Sequence, residues 1–403
     1  MKAKNIILAT VMCLATISAK AQGYWVNDST APNYQESNYS EPAWEDKIVD
    51  RMDELLKSSI FRTSTVGIEI YDITAGKLLY TYNESQSMRP ASTQKVLTAV
   101  TALDRLGGYY EFKTRLYYNG EIADGVLNGD LYCIGGFDPA FNADDLESFV
   151  NAVREAGIDT ISGGIYADLH FKDDGRLGEG WCWDDDNPTL TPLMVAKKDN
   201  FLQRFSSMLR QRGITVQGST GEADTPPTAQ QLHIVTHSID HILKRMMKNS
   251  DNTYAESMFY QLGGTAKQAK VYVNSIIQRV GLNPSDYYVA DGSGLSLYNY
   301  VSPHEEVMFL RYAYEHKEIF DHLYPSLPIA GVDGTLEKRM RGTHAEGNVR
   351  AKTGTVTGVS ALAGYLNAPN NHFICFSIIN MGIRQAATGR NFQDQVCAAL
   401  CRP

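Results

Sequence analysis

The sequence predicts an α+β protein in which a core assembled from both ends of the chain carries a smaller α+β insertion in its middle. Three observations carry that prediction. Strand patterns lie near both ends, at about residues 64–82 and 359–379, each close to helical apolar spacing. The middle, residues 106–234, changes to short strand signals punctuated by glycine. Polar motifs that make chemical sense only together are divided between the two flanks.

The bulk properties agree with a folded protein. A chain of 403 residues, 43% hydrophobic and 21% charged, can bury a large core. The formal net charge is -9, and the basic stretches at 267–270 and 338–341 are short and scattered. A nucleic-acid groove needs more concentrated positive charge, so no nucleic-acid partner is expected.

The first segment, 1–21, reads as a signal peptide. Met1 to Lys4 is basic, Ile6 to Ile17 is mostly apolar, and Ala19-Lys20-Ala21 has the small-x-small form of a cleavage site. Its apolar run is too short to span a bilayer comfortably. Export is expected, with cleavage after Ala21. Residues 22–44, rich in Asn, Ser, Tyr and Pro, form an extended lead-in.

Residues 45–105 open the core. Ile48, Met52, Leu55 and Leu56 recur at helical spacing. Ser64 to Tyr71 and Leu78 to Tyr82 then read as an antiparallel hairpin turned at Asp72 to Lys77. Beyond Pro90, Val96, Leu97, Val100 and Leu103 define the apolar face of a helix that ends by Gly107-Gly108. In the insertion, 106–234, strands are expected near 116–118, 127–132 and 161–166, with helices at about 142–156 and 200–211. Residues 235–403 complete the core. Helices are expected at 238–247, 254–261, 268–279, 303–315 and 386–400, and strands at 359–367 and 373–379.

Three motifs carry the chemistry. Ser92 and Lys95 are three apart, which on a helix puts them on nearly one face. A neutral lysine can take the proton of a serine nucleophile, and burial or a second cation favours the neutral form. Lys352 can supply that second charge. Ser250 and Asn252 stand two apart after a helix, where Ser250 can relay a proton to a leaving amine and Asn252 can bind substrate and hold Lys95. Asp251 between them is expected to point away and support the turn. Lys352-Thr353-Gly354 reads as an edge strand with Lys352 and Gly354 on one face. Lys352 and Thr353 can recognise a substrate carboxylate, Gly354 leaves room for substrate backbone, and the Thr355 and Ser92 N–H groups can form an oxyanion hole. Each motif is weak alone: the first two read more readily as a cap or surface pair and as a turn, and the third can be a polar edge strand. Their conjunction describes an acyl-transfer serine enzyme.

These segments resemble the serine D-alanyl-D-alanine carboxypeptidases/endopeptidases of the low-molecular-mass class C penicillin-binding proteins, peptidase family S13. Pro90-Ala91-Ser92-Thr93-Gln94-Lys95, Ser250-Asp251-Asn252-Thr253-Tyr254-Ala255-Glu256 and Ala351-Lys352-Thr353-Gly354-Thr355 match its motifs. Asp291-Gly292-Ser293-Gly294-Leu295-Ser296 and the segments at 129–139 and 180–185 extend the likeness from about residue 45 to the C-terminus. The resemblance implies a serine β-lactamase/transpeptidase-like core and an acyl-enzyme on Ser92. It implies peptidoglycan stem peptides as substrates, β-lactams as covalent inhibitors, a periplasmic setting and no metal or cofactor. The stretch between Ser92 and Ser250 is shorter than in typical members, so a shortened accessory insertion is expected. Two other readings use the same residues. A β-lactamase or esterase would turn antibiotic over quickly, and a noncatalytic peptidoglycan-binding protein would bind wall peptides without covalent labelling.

Other residues carry less. His233, His237 and His241 recur every four residues without the carboxylates of a metal motif. Trp181 and Trp183 would share one face of a strand, and Asp138 and Asp184 can position substrate or cap turns. Cys133, Cys182, Cys375, Cys397 and Cys401 follow the leader, an odd number that leaves at least one unpaired within a monomer.

Overall fold

Both flanks of the chain contribute strands to one antiparallel sheet, and this is what brings the distant motifs together. The structure, a computed structural model, describes residues 44–183 and 186–403. The expected signal peptide, the lead-in as far as residue 43, and Asp184 lie outside the described residues.

The N-terminal flank forms α1 (Trp44–Leu55), β1 (Thr65–Asp72), β2 (Lys77–Tyr82) and α2 (Gln94–Leu106). The middle forms β3 (Glu111–Ala123), β4 (Val126–Ile134), α3 (Ala143–Glu155), β5 (Thr160–Ile161) and β6 (Ile165–Asp168). It continues through α4 (Phe201–Gln211), β7 (Thr215–Val216), β8 (Thr220–Glu222) and β9 (Gln230–Ser238). The C-terminal flank holds α5 (Ile239–Lys248), α6 (Asn252–Tyr260), α7 (Ala266–Arg279), α8 (Pro303–Glu315) and α9 (Lys317–Ser326). It ends with β10 (Arg350–Val356), β11 (Val359–Asn367), β12 (Phe373–Met381) and α10 (Ala386–Cys401).

The core sheet has the order β10-β11-β12-β1-β2, antiparallel throughout. Alternation along its strands divides two hydrophobic layers. Leu362, Phe376 and Ile378 join Ile48 and Met52 of α1 and Val396 and Leu400 of α10 on one face. Ala361, Ala363, Tyr365, Cys375 and Ile379 join α2 and the helices of the C-terminal flank on the other. Because both faces are covered, β11 is buried at every position but its last. The central helix α2 is buried from Gln94 to Leu103, as a helix surrounded by others must be.

The middle region builds a second sheet in the order β7-β5-β4-β3-β9, with β6 on β4 and β8 on β6. Helices α3 and α4 cover one face through Phe149, Val153, Phe205 and Leu209. Asn142 caps α3, its side chain accepting from the Asp144 N–H while Asp145 reaches back to the Asn142 N–H. The rings of Phe141, Phe149, Phe201 and Phe205 stand 5.4–6.1 Å apart, mostly edge to face. Phe149→Ala removes the ring shared by most of these contacts. Urea unfolding is expected to show a loss of about 3–5 kcal/mol in this unit.

Most elements fall where the sequence places them, but the short strands β7 and β8, together with β9 and α9, are additional. A four-residue interval fits one face of a strand as well as one face of a helix. Accordingly His233 and His237 lie on β9 and only His241 on α5. His237 Nδ1 is 2.6 Å from Asp138 Oδ2, and His233 packs against the Phe149 ring. The Trp181–Trp183 segment is not a strand, so the two rings do not share a face. Trp181 is buried and Trp183 is 83% exposed. Cys133, Cys375, Cys397 and Cys401 are buried free thiols, and Cys182 is an exposed one. Among the described residues no helix is long and apolar enough to cross a membrane.

Candidate active site

Ser92 sits in a tight turn, Ala91–Thr93, that feeds directly into α2. Thr93 ties the turn by donating its hydroxyl to the Pro90 carbonyl at 2.8 Å. Ala91 has φ +50° and Ser250 has φ +59°. Left-handed backbone in such residues costs about 1–3 kcal/mol each and persists only where surrounding contacts enforce it. The strained positions therefore flank the nucleophile and carry the second motif.

Lys95 lies one helical turn from Ser92 and is fully buried. Its Nζ is 2.8 Å from Ser92 Oγ, 2.8 Å from Asn252 Oδ1 and 2.6 Å from the Ser293 carbonyl. The last two oxygens only accept hydrogen bonds. A neutral amine has two hydrogens and one lone pair. Asn252 and Ser293 take both hydrogens, which leaves the lone pair facing Ser92. Burial lowers the Lys95 pKa to about 8, against the opposing charges of Asp291, Glu256 and Asp251. The sequence points to a second cation as one cause of a neutral lysine; at Lys95 burial is the leading cause, and the repulsion registers at Lys352 instead. There burial first, and the charge of Lys95 second, hold the ammonium well below its usual range.

The second motif begins at the end of α5. Ser250 Oγ accepts from Lys352 Nζ at 2.8 Å, and Asn252 is the first residue of α6. Asp251 caps α6 by accepting from the Thr253 N–H at 3.1 Å, and it pairs with Lys197 at 2.9 Å. It points away from the reacting groups, as its place between Ser250 and Asn252 requires.

The third motif lies on the outer edge of the core sheet. β10 pairs along its length with β11 and, at Arg350, bridges to Ile329 on its other edge, while the nucleophile turn packs against its face at Gly354. The Ala351 N–H leaves the sheet to reach the Pro328 carbonyl at 3.0 Å. By alternation the N–H groups of Thr353 and Thr355 point off that same edge, away from β11. Lys352 is fully buried and also donates to the Thr353 carbonyl at 2.8 Å. Gly354 has a nearer reason for lacking a side chain than substrate access. A Cβ there would stand 2.5 Å from the Pro90 carbonyl and 3.2 Å from the Ser92 nitrogen. Gly354→Ala is expected to displace the nucleophile turn and lower turnover about 100-fold, with the far-UV circular dichroism unchanged.

Several supporting residues escape motif reading. The Ser293 carbonyl that orients Lys95 is held by Glu256, which accepts from the Ser293 N–H at 2.8 Å. Burial, then Asp291, raises the Glu256 pKa to about 8. Asp291 accepts from the Trp181 indole at 2.8 Å and from the Gly294 N–H at 2.7 Å, so the one buried tryptophan of that segment braces this turn. Thr335 shares a 2.8 Å hydroxyl contact with Thr353, and its loop is anchored by Lys248 on Asp333 at 2.6 Å. Glu256 and Asp291 do lie inside segments that mark the resemblance. Thr335 carries no local signal, because only the folded loop brings it to β10.

The fold, an α+β core resembling those of penicillin-binding proteins, and the Ser92–Lys95 pair together define a serine acyl-transfer enzyme. The family described as D-Ala-D-Ala carboxypeptidase 3 (S13) matches residues 48–196 and 187–402. The chain belongs to that family. A D-alanyl-D-alanine carboxypeptidase from Actinomadura is 28% identical over 436 residues, covering 82% of this chain and 80% of the relative. D-alanyl-D-alanine carboxypeptidase DacB of Haemophilus influenzae is 28% identical over 409 residues, covering 78% and 84%. The crystal structure of penicillin binding protein 4 from Haemophilus influenzae superposes with a TM-score of 0.76 at 25% identity, covering 88% of this chain and 98% of that one. That relative is also known in complex with a β-lactam.

Proposed function

We propose that the chain is an exported serine D-alanyl-D-alanine carboxypeptidase or endopeptidase that acts on peptidoglycan stem peptides through an acyl-enzyme. The observation that carries the reading is the triple hydrogen bond of Lys95, which aims its lone pair at Ser92.

Ser92 Oγ attacks the carbonyl carbon of the penultimate D-alanine while Lys95 Nζ takes the hydroxyl proton. The N–H groups of Ser92 and Thr355 stabilise the oxyanion as it forms. The proton returns through the Ser250 hydroxyl to the leaving nitrogen as the C–N bond breaks. Asn252 positions the substrate peptide and Lys95, and Lys352 with Thr353 binds the terminal carboxylate. Water then attacks the Ser92 ester, giving a proton to Lys95, which passes it to the Ser92 oxygen as the ester C–O bond breaks. A β-lactam enters by the same attack, its ring amide in place of the peptide bond. The core runs over 45–105 and 235–403 in this reading, and 106–234 is an accessory insertion.

Purified protein is incubated with monomeric and cross-linked peptidoglycan fragments, and the products are weighed by mass spectrometry. Loss of one D-alanine identifies the carboxypeptidase, and conversion of dimers to monomers identifies the endopeptidase. Rapid release of hydrolysed β-lactam with neither peptide product would overturn the proposal in favour of a β-lactamase.

A further inference from the structure

The inserted sheet has a second face that α3 and α4 do not cover. Leu131, Cys133, Ile165 and Ala167 turn inward to α3 and α4. Alternation turns Tyr117, Tyr132 and Tyr166 the other way. The three are in register, Tyr117 opposite Tyr132 and Tyr132 opposite Tyr166, so they form a row across β3, β4 and β6. None of the three belongs to a hydrophobic core cluster. The Tyr132 and Tyr166 rings are 5.5 Å apart and inclined by 31°; Tyr132 is buried between its neighbours, and Tyr117 and Tyr166 are half-buried on either side of it. Gly221 lies opposite Tyr166, and a Cβ on Gly164 would touch that ring at 2.9 Å, so the ring rests along bare backbone.

The next row of the same face is Arg115, Ile134 and Asp168, in register. It opens into a cleft of about 620 Å³ closed on the core side by Tyr110, Phe171 and Gln261. Asp168 is already engaged by His170 and by the Thr225 N–H. Lys113 stands 3.7 Å from Glu111. Arg115 has no hydrogen-bond or ion-pair partner among the described residues. Gln261 follows the last residue of α6 and Asn252 is its first, which separates the cleft from the nucleophile by about 13 Å of helix.

A row of phenol rings with apolar faces and polar rims matches a chain of pyranose rings, which are likewise apolar on their faces and polar at their edges. An unpaired guanidinium at the end of the row matches a carboxylate. We propose that this face binds the glycan strand of peptidoglycan, with Tyr117 and Tyr166 stacking on its sugars on either side of the buried Tyr132 and Arg115 taking a lactyl carboxylate. The inference rests on peptidoglycan being the substrate. It makes the insertion an anchor for the polymer, distinct from the centre that cuts the peptide.

The test uses the full chain with Ser92→Ala, titrated by calorimetry with peptide-free glycan strands, whose lactyl carboxylates are exposed, and with a chitin oligosaccharide, which has none. Tyr117→Ala with Tyr166→Ala is expected to weaken binding of both probes about tenfold, whereas the double Phe replacement retains it. Arg115→Gln is expected to weaken only the carboxylate-bearing strand. In the Ser92 enzyme the tyrosine-to-alanine pair should leave kcat/KM on a soluble D-Ala-D-Ala peptide unchanged while slowing D-alanine release from intact wall. No binding of either glycan by the parent chain, or equal losses on soluble peptide and wall, would overturn the platform. A parent enzyme that binds glycan but leaves the soluble peptide uncut would instead overturn the functional reading and keep the platform.

Discussion

Ser92→Ala is expected to abolish covalent labelling by a fluorescent penicillin and to lower peptide turnover by at least about 1,000-fold. The reason lies in how little else at the site can attack a carbonyl. Ser250 is the second serine hydroxyl of the motifs, but its oxygen accepts from Lys352, and no lone pair of Lys95 is aimed at it. The oxyanion donors are backbone groups and survive the change, so weak substrate binding should remain. The measurement separates the readings cleanly. Intact-mass analysis should show one acyl adduct on the parent chain and none on the variant. An adduct that persists at full stoichiometry would place the nucleophile elsewhere.

Replacing Lys95 should cost nearly as much, and its pH dependence is diagnostic. Lys95→Arg preserves charge but not the ability to accept a proton, because a guanidinium stays protonated throughout the working range. Lys95→Met preserves length and burial without either property. Both are expected to slow acylation by about 100- to 10,000-fold. With Lys95 as the proposed base, its competent form is the neutral amine, and acylation is expected to rise with pH. With the pKa lowered to about 8, about one amine in ten is neutral at pH 7 and about nine in ten at pH 9. The logarithm of kcat/KM should therefore climb with unit slope below pH 8 and level off above it. Acylation that falls as pH rises through 8 would mean that the protonated lysine is the working form. Retained activity in the arginine variant would say the same.

The legibility of this protein differs from residue to residue. Ser92, Lys95, Ser250, Asn252, Lys352 and Thr353 were readable because each pair lies within one local element. One helical turn sets Ser92 beside Lys95, and a short segment sets Ser250 near Asn252. The β1–β2 hairpin, α3 with its Asn142 cap, and the buried strands β11 and β12 were readable for the same reason. β9 was not, because histidines four apart satisfy both periodicities. The pairing of Trp181 with Trp183 on one face failed because the segment is not extended and only Trp181 finds a buried partner, Asp291.

By itself, the sequence determined the family and supplied the candidates for the chemistry: a nucleophile, a base, and the polar groups that can surround a peptide carbonyl. Those choices are written in residue types at short spacings, and short spacings translate directly into shared faces. Tertiary structure alone decided that the Ser293 carbonyl joins Asn252 on Lys95, that Gly354 is small for the sake of Pro90, and that Thr335 stands beside Thr353. It also decided that three tyrosines from three strands make one row. Each of these is a contact between residues far apart in the chain. Such contacts follow from how the sheets close and which faces are covered, and no local period encodes them.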